Sequence, residues 1–382
     1  MANRLDYDAR IKLSIVINKL ESSFPFLGLR GLEFDHHRGL LLVVDSLGSN
    51  VQVFSCDDGS LVSKFGERGD QPGQFMAPYG IAIDHDHDRI LITDSFNHRV
   101  HLWSLSDQSF VSCIGKQGSG DLEFQYPSGI AIDKHHHRIV IVDHANSRLV
   151  FLSSIDLSFL FEIGKQGLQP GEFLPLGVAI DHDRHRIIVS CRNNNRVQVL
   201  SSIDGSFLFE FGSQSDQPGQ FRSPQGVCIA SHGRIIVADK LTRRLQSFTH
   251  EGHHISSFDC GDERPHAVAF DEHRGLIAFS ADGRVHVIGA NQWLADTSFV
   301  WRPDLHRYAP SWMKQTVLTM TMIRSMVDES NAMSMIPNEL LFEIFSMLDA
   351  RDAPQHQDRA RAPAAPRHQD TNRVLGQRCQ VM

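Results

Sequence analysis

The feature that most constrains the fold of this chain is a short segment that recurs at a nearly fixed interval. Gly80-Ile81-Ala82-Ile83-Asp84 is repeated with little change from Gly129, from Gly177 and from Gly226, so that the steps are 49, 48 and 49 residues. A constant period in this range indicates a repeat architecture, in which one supersecondary unit is stacked several times.

Each unit contains four short apolar runs separated by polar turns. In the unit that begins at Gly80 the later runs cover residues 89–94, 99–103 and 109–114. Runs of this length, rich in β-branched and aromatic residues, are typical of antiparallel strands. Weaker copies from Gly31 and Ala267 make six units over residues 21–300. Six four-stranded sheets around one axis predict an all-β fold, the six-bladed β-propeller.

Three signatures recur in step with these units, and together they resemble the NHL-repeat propellers over about 270 residues. The first is a Phe and a Pro ahead of the glycine: Phe75, Pro78 and Gly80; Phe124, Pro127 and Gly129; Phe173, Pro175 and Gly177; Phe221, Pro224 and Gly226. The second is an Asp that closes the second strand: Asp45, Asp94, Asp143 and Asp239. The third is Asn-x-Arg before the third strand: Asn97 and Arg99, Asn146 and Arg148, Asn194 and Arg196.

We interpret these signatures mainly as architecture. Each Phe is expected to insert between blades, where burying one aromatic side chain contributes roughly 1.5–3 kcal/mol. Each Gly permits a backbone conformation or a close approach that a side chain would forbid. The Asp and the Arg lie five residues apart across a turn, so we expect them to pair and fix it. The pattern weakens at Cys191, which stands at the Asp position of the fourth unit.

The N-terminal segment, residues 1–20, contains an alternating run over residues 11–17. This run could supply the outer strand of the last blade and so close the ring, although a helix over residues 7–20 fits the pattern nearly as well. The run is too short for a signal peptide or a membrane span.

The six cysteines show no Cys-x-x-Cys spacing, so neither a disulfide framework nor a zinc knuckle is expected. We expect a cytoplasmic protein, with the nucleus as the alternative.

Histidines are concentrated in the turns between first and second strands. These turns contain His36, His37, His85, His87, His135, His136, His137, His182, His185 and His273. In a propeller they share one face, and such groups can bind divalent metals. A structural zinc site needs four converging ligands, however, and tips on separate blades are expected to diverge. We therefore predict solvated turns with a pH-dependent surface charge and no metal or cofactor.

The opposite face is formed by the loops that enter the first strands and those that join second to third strands. Loops on a rigid scaffold are where binding usually resides. We predict that a partner protein binds this face. The candidate contact residues are Phe96, Asn97, His98, His144, Arg192, Asn193, Lys240, Leu241 and Arg243.

The composition changes after the repeats. Residues 301–312 are expected to form a linker, residues 313–350 a helical segment and residues 351–382 a disordered tail. Within the helical segment, residues 336–348 resemble the opening helix of an F-box, which binds the adaptor subunit of a cullin ubiquitin ligase. That resemblance implies these adaptor contacts: Pro337, Leu340, Leu341, Ile344 and Phe345. An F-box has about three helices, whereas the chain beyond Leu348 has no further apolar periodicity.

The net charge of the chain bears on whether it binds nucleic acid. The chain carries a net charge of −8 and the tail from Arg351 carries six Arg and three Asp, so residues 1–350 carry −11. An acidic body disfavours nucleic acid, because affinity for nucleic acid depends on Lys and Arg that neutralise phosphates. A local patch of Arg192, Lys240, Arg243 and Arg244 keeps RNA binding as one alternative.

The leading hypothesis is a non-enzymatic scaffold that binds a protein and links it to a ubiquitin ligase. A second alternative is a lyase or hydrolase with a metal in the channel, as in several six-bladed propeller enzymes. That chemistry would need inward-pointing His, Asp or Glu, which the Gly-Ile-Ala-Ile runs do not supply.

Overall fold

The computed structural model describes residues 15–17 and 28–293, and within them it confirms the predicted six-bladed β-propeller. Each blade is a four-stranded antiparallel sheet. In chain order the strands of blades 1 to 5 are Leu29–Asp35, Leu40–Asp45, Asn50–Ser55 and Leu61–Phe65; Pro78–Asp84, Arg89–Asp94, Arg99–Ser104 and Phe110–Ile114; Pro127–Asp133, Arg138–Asp143, Arg148–Ser153 and Phe159–Ile163; Pro175–Asp181, Arg186–Cys191, Arg196–Ser201 and Phe207–Phe211; Pro224–Ala230, Arg234–Asp239, Arg244–Phe248 and His254–Asp259.

Blade 6 is built from both ends of the propeller. Three of its strands are Pro265–Asp271, Leu276–Ala281 and Arg284–Gly289. The fourth, outermost strand is Ile15–Ile17, which pairs antiparallel with the third, Val16 lying opposite His286. The first strand of blade 1 in turn contacts that of blade 6, so the ring is closed.

Short strands and helical turns lie between or after the strands of the blades. Two parallel pairs precede the first strands of blades 2 and 3: Glu67–Arg68 with Gln74–Phe75, and Lys116–Gln117 with Glu123–Phe124. The described residues also contain four 3-10 turns, which are His85–His87, Lys134–His136, Arg192–Asn194 and Ser231–Gly233. A single helical turn, Ala290–Trp293, follows blade 6. No helix among the described residues is long and apolar enough to cross a membrane.

The core lies between neighbouring blades. Second strands are buried almost throughout, whereas outer strands such as Phe159–Ile163 alternate between partly buried and exposed residues. This difference follows from position, because only the inner strands have a blade against each face. The signature phenylalanines insert between blades as expected, each 0–1% exposed: Phe75, Phe124, Phe173 and Phe221.

The repeated glycines allow the first strands to approach one another at the axis. A Cβ atom on Gly80 would lie 2.3 Å from the carbonyl oxygen of Ser128 in the next blade, and one on Gly177 would lie 2.6 Å from that of Gln225. Neither glycine has a positive φ. These glycines are therefore required for close packing, not for an unusual backbone conformation.

The predicted Asp–Arg staple is only partly what the structure contains. In blade 3 Arg148 donates from Nε to Asp143 at 2.9 Å. In blade 2, however, Arg99 donates to His101 and to the carbonyl oxygens of the entering loop. There the Asp of the signature, Asp94, instead accepts backbone N–H groups of that loop. In blade 2 the side chains of Asp94 and Arg99 therefore bind mainly to backbone groups of the entering loop, because these groups lie within reach of both side chains.

Candidate binding site at the channel mouth

The first strands line a channel along the propeller axis. Its waist is a space of about 70 Å³ bounded by the glycines and by aliphatic side chains. On each side the waist opens into a depression of about 280 Å³. One depression, which we call the channel mouth, lies on the face that carries the loops between second and third strands. The other lies on the face that carries the histidine-rich turns.

Six side chains from the same position of the repeat encircle the channel toward the mouth. In each blade the residue is the one before the glycine, or before Ala267 in blade 6. They are Arg30, Tyr79, Ser128, Leu176, Gln225 and His266. These residues differ in size and charge from blade to blade on a constant scaffold, so they give this end of the channel its chemical character.

The channel mouth is strongly cationic. Arg30 lies 2.8 Å from the Nδ1 atom of His266, and its guanidinium lies 5.7 Å from the centre of the Tyr79 ring. Burial, followed by Arg30, Lys240, Arg192 and Arg264, lowers the pKa of His266 to about 3, so this imidazole is neutral at pH 7.

The cations at the mouth lack acidic partners. Burial and the neighbouring Arg30, Arg192 and Arg264 lower the pKa of Lys240, and Asp282 opposes this effect. The backbone N–H of Arg264 already donates to the Asp282 carboxylate. In the part of the chain that the structure describes, no carboxylate forms an ion pair with any of these four basic side chains. An anion that enters the mouth would therefore meet an excess of positive charge.

An aromatic wall borders the cations. Phe96 is 61% exposed and Tyr126 is 42% exposed, and their ring centres lie 5.7 Å apart in an edge-to-face arrangement. Both line the channel mouth. Exposed aromatic side chains beside basic residues are typical of the centre of an interface.

The structure brings together four of the nine contact residues predicted from sequence. Phe96, His144, Arg192 and Lys240 line the mouth. The other five do not line it: Asn97, His98, Asn193, Leu241 and Arg243.

Three of these five have other contacts. The Asn97 amide donates to Asp94, which makes it part of the staple. His98 accepts a hydrogen bond from the N–H of Tyr126. Arg243 pairs with Asp262 at 2.8 Å.

Sequence reasoning missed Arg30, Tyr79, Tyr126, Arg264 and His266. Three of these lie on or at the end of first strands, which were treated as scaffold. The available signal was variation at a fixed position: the residue beside each invariant glycine changes in size and charge between units.

The expectation that the inner strands carry no acid was wrong for blade 1. Glu33 on the first strand lines the depression on the histidine side. Burial raises the pKa of Glu33 to about 8, and Lys134 opposes this shift. Burial also raises the pKa of Cys228, which lines the same depression. Cys191 is fully buried with its pKa raised to about 12, so it is an inert core thiol.

The expectation that histidine turns on separate blades diverge was also wrong. The ring centre of His36 in blade 1 lies 5.0 Å from that of His85 in blade 2 and 4.8 Å from that of His273 in blade 6. Burial and then His37 and His85 lower the pKa of His36 to about 4. Close approach of the first strands at the axis holds these three turns together.

The predicted linker, the F-box-like helix and the tail lie outside the described residues. The adaptor contacts predicted on that helix are therefore without structural description: Pro337, Leu340, Leu341, Ile344 and Phe345.

Comparison with known proteins agrees with this fold. The family model DUF5128, described as a 6-bladed beta-propeller, matches residues 23–114 and 85–160, and the NHL repeat model matches residues 174–200. No curated protein matches the chain. The chain is thus a six-bladed β-propeller that carries an NHL repeat.

The solved structures that match this chain include two at 16% identity. One is a structural genomics protein of unknown function from Bacteroides thetaiotaomicron, at 16% identity and a TM-score of 0.54, with 70% of each chain covered. The other is a chain of a nidogen/laminin complex, at 16% identity and a TM-score of 0.49, with 60% of this chain and 80% of that chain covered. At this identity the likeness to the first shows the fold alone.

Proposed function

We propose that the chain is a non-enzymatic interaction protein whose channel mouth binds an acidic segment of a partner protein. The observation that carries this proposal is a group of basic side chains without an ion-paired carboxylate at one depression: Arg30, Arg192 and Lys240 line it, and Arg264 is close enough to lower the pKa of Lys240. The positive charge is local, since the chain as a whole carries −8.

A peptide fits this mouth better than a larger flat surface does. The depression of about 280 Å³ can hold one or two side chains. The cations would bind carboxylates, while Phe96 and Tyr126 offer an apolar wall to a neighbouring aromatic or aliphatic residue. Such a pairing of buried anchors with charge complementarity gives both affinity and selectivity.

Fluorescence polarisation on the full-length chain would test the proposal with a labelled peptide that contains several Glu and one Phe. The double variant R192E/K240E should weaken binding at least tenfold, which corresponds to about 1.4 kcal/mol. The control is R243E on the same face, because Arg243 is already paired with Asp262 outside the mouth. Binding should also weaken with salt, since part of the attraction is screened.

Three results would decide the matter. Loss of peptide binding in R192E/K240E together with retention in R243E supports the mouth as the site. Equal binding by all three proteins overturns it. Stronger binding of single-stranded RNA than of the peptide, with a steep salt dependence, would replace the protein partner with a nucleic acid.

We further propose that residues 336–348 join this propeller to the adaptor of a ubiquitin ligase. The support is the sequence resemblance to an F-box helix, with Leu341 on its apolar face. Co-purification of the adaptor with the full-length chain should be lost in Leu341→Asp and kept in Glu343→Ala, which lies off that face. Absence of adaptor from the wild-type preparation would remove this part of the function without affecting the peptide site.

A further inference from the structure

The strongest unassigned feature of the propeller is a group of three imidazoles at the tips of blades 1 and 2. One ring nitrogen from each of His36, His37 and His85 lies within 4.8 Å of the others. The rings of His37 and His85 are stacked with their centres 4.2 Å apart. His36 and His85 are partly buried, and His37 is exposed. Two blades therefore direct nitrogen ligands to one small region.

A carboxylate stands beside this group. Asp35, which ends the first strand of blade 1, is 1% exposed, and its Oδ1 atom lies 3.9 Å from Nε2 of His85. Its Oδ2 atom is buried and makes no hydrogen bond among residues 15–17 and 28–293. Arg38 approaches that oxygen only to 3.8 Å.

The repeat supplies an internal comparison for this carboxylate. The corresponding Asp in four other blades has a close side-chain partner three residues later. These contacts are His87 on Asp84 at 2.9 Å, His136 on Asp133 at 2.8 Å, Arg184 on Asp181 at 3.4 Å and Arg274 on Asp271 at 3.2 Å. Blade 5 has Ala230 at this position. Asp35 is therefore the least satisfied of the five equivalent carboxylates, and it is the one beside the imidazole group.

Imidazole nitrogens and carboxylate oxygens are both common zinc ligands, and three protein ligands of these types make a site that keeps a fourth position for water. With zinc–nitrogen distances near 2.0–2.1 Å, tetrahedral ligands would lie about 3.3 Å apart. The present separations exceed this by no more than about 1.5 Å, which rotation of an exposed side chain such as His37 can supply. Lys134 and Arg38 are nearby positive charges that oppose a cation.

We propose that His36, His37 and His85 bind one zinc ion, with Asp35 as a fourth ligand or as the acceptor that orients His85. The site would connect the tips of blades 1 and 2 on the face opposite the channel mouth. It is therefore independent of the peptide site and would be present whether or not that site exists.

Cobalt and zinc titrations of the full-length chain would test this site. Cobalt(II) should give the visible absorption of a tetrahedral complex at one equivalent, and zinc should displace it. His85→Ala and His37→Ala should each weaken zinc binding by about tenfold or more, since even outer partners of metal ligands contribute 10–100-fold. Zinc should also raise the thermal midpoint of the wild-type protein and not that of His85→Ala.

A matched control comes from the equivalent turns of blades 3 and 4. There His135 lies 5.4 Å from both His182 and His185, and no three ligand atoms come as close as in blades 1 and 2 within the described propeller. His135→Ala should therefore bind zinc like the wild type. Absence of zinc binding in the wild type would overturn the proposal, as would equal binding by the wild type, His37→Ala and His85→Ala. His37 is exposed, so its variant should fold normally and keeps the test decisive even if His85→Ala is unstable.

Discussion

Glu33 makes the stability of this propeller depend on pH in a way that one substitution should remove. Its side chain lies in the depression on the histidine side, where burial raises its pKa from 4.5 to about 8. The folded protein therefore keeps the proton over a range in which the unfolded chain releases it. Glu33→Gln retains the shape of the protonated side chain and cannot ionise.

The direction and size of the effect follow from this shift. A group whose pKa is raised on folding contributes its full stabilisation below the unfolded pKa, here 4.5, and loses it as the pH rises through 8. Over that interval the free energy of unfolding falls by about 1.4 kcal/mol per pH unit. The total decrease can therefore be at most about 5 kcal/mol. The side chain of Glu33 is partly exposed to the channel. Water there favours the charged form, so we expect a total change of about 2–3 kcal/mol.

Urea unfolding of the full-length chain between about pH 5 and pH 9, with a chelator present, would measure this effect. All other titrating groups are common to both proteins, so they cancel when the wild type is compared with Glu33→Gln. The wild type should lose stability relative to the variant as the pH rises. Glu272→Gln, the same substitution at an exposed position, provides the control variant. A constant difference between the wild type and Glu33→Gln would refute the reasoning.

Two further predictions concern the scaffold. Gly80→Ala would place a Cβ atom 2.3 Å from the Ser128 carbonyl oxygen; we expect a loss of about 1–3 kcal/mol, seen as a lower calorimetric melting temperature, and an unchanged temperature would contradict the close-packing explanation. Arg148→Met would leave the fully buried Asp143 without its 2.9 Å partner; we expect a loss of about 3–5 kcal/mol in urea unfolding. Arg99→Met should cost less, and equal losses would argue against the pairing.

Most of the fold could be predicted because the same pattern of four strands and their turns recurs six times in the sequence. Apolar runs, turns and the period of 49 residues all indicate four-stranded blades, and agreement between such levels is what specifies a structure. The Arg99 contacts could not be predicted, because sequence spacing does not show whether the Asp or a backbone carbonyl lies nearer the guanidinium. In blade 2 the guanidinium of Arg99 donates to the carbonyl oxygens of the entering loop.

The sites were predicted less well, since each depends on the distance between blades. The repeat shows that the histidine turns share a face, but not that glycine packing at the axis brings His36 within 5.0 Å of His85. The basic mouth was missed in part for the same reason. Arg30 and His266 are 236 residues apart in the chain, and they meet only because blade 1 lies next to blade 6.

The pairing of Ile15–Ile17 with the last blade also sets the order in which the molecule can be assembled during translation. Ile15 lies opposite Val287, and at a synthesis rate of about 5–20 residues per second the ribosome needs roughly 15–50 seconds to reach that partner. During this interval the inner blades can form, but the outer edge of the final sheet cannot be covered. Until then the nascent ring is an open arc in which Ile15–Ile17 lacks its partner strand, and an unpaired strand favours chaperone contact or misassociation with another chain.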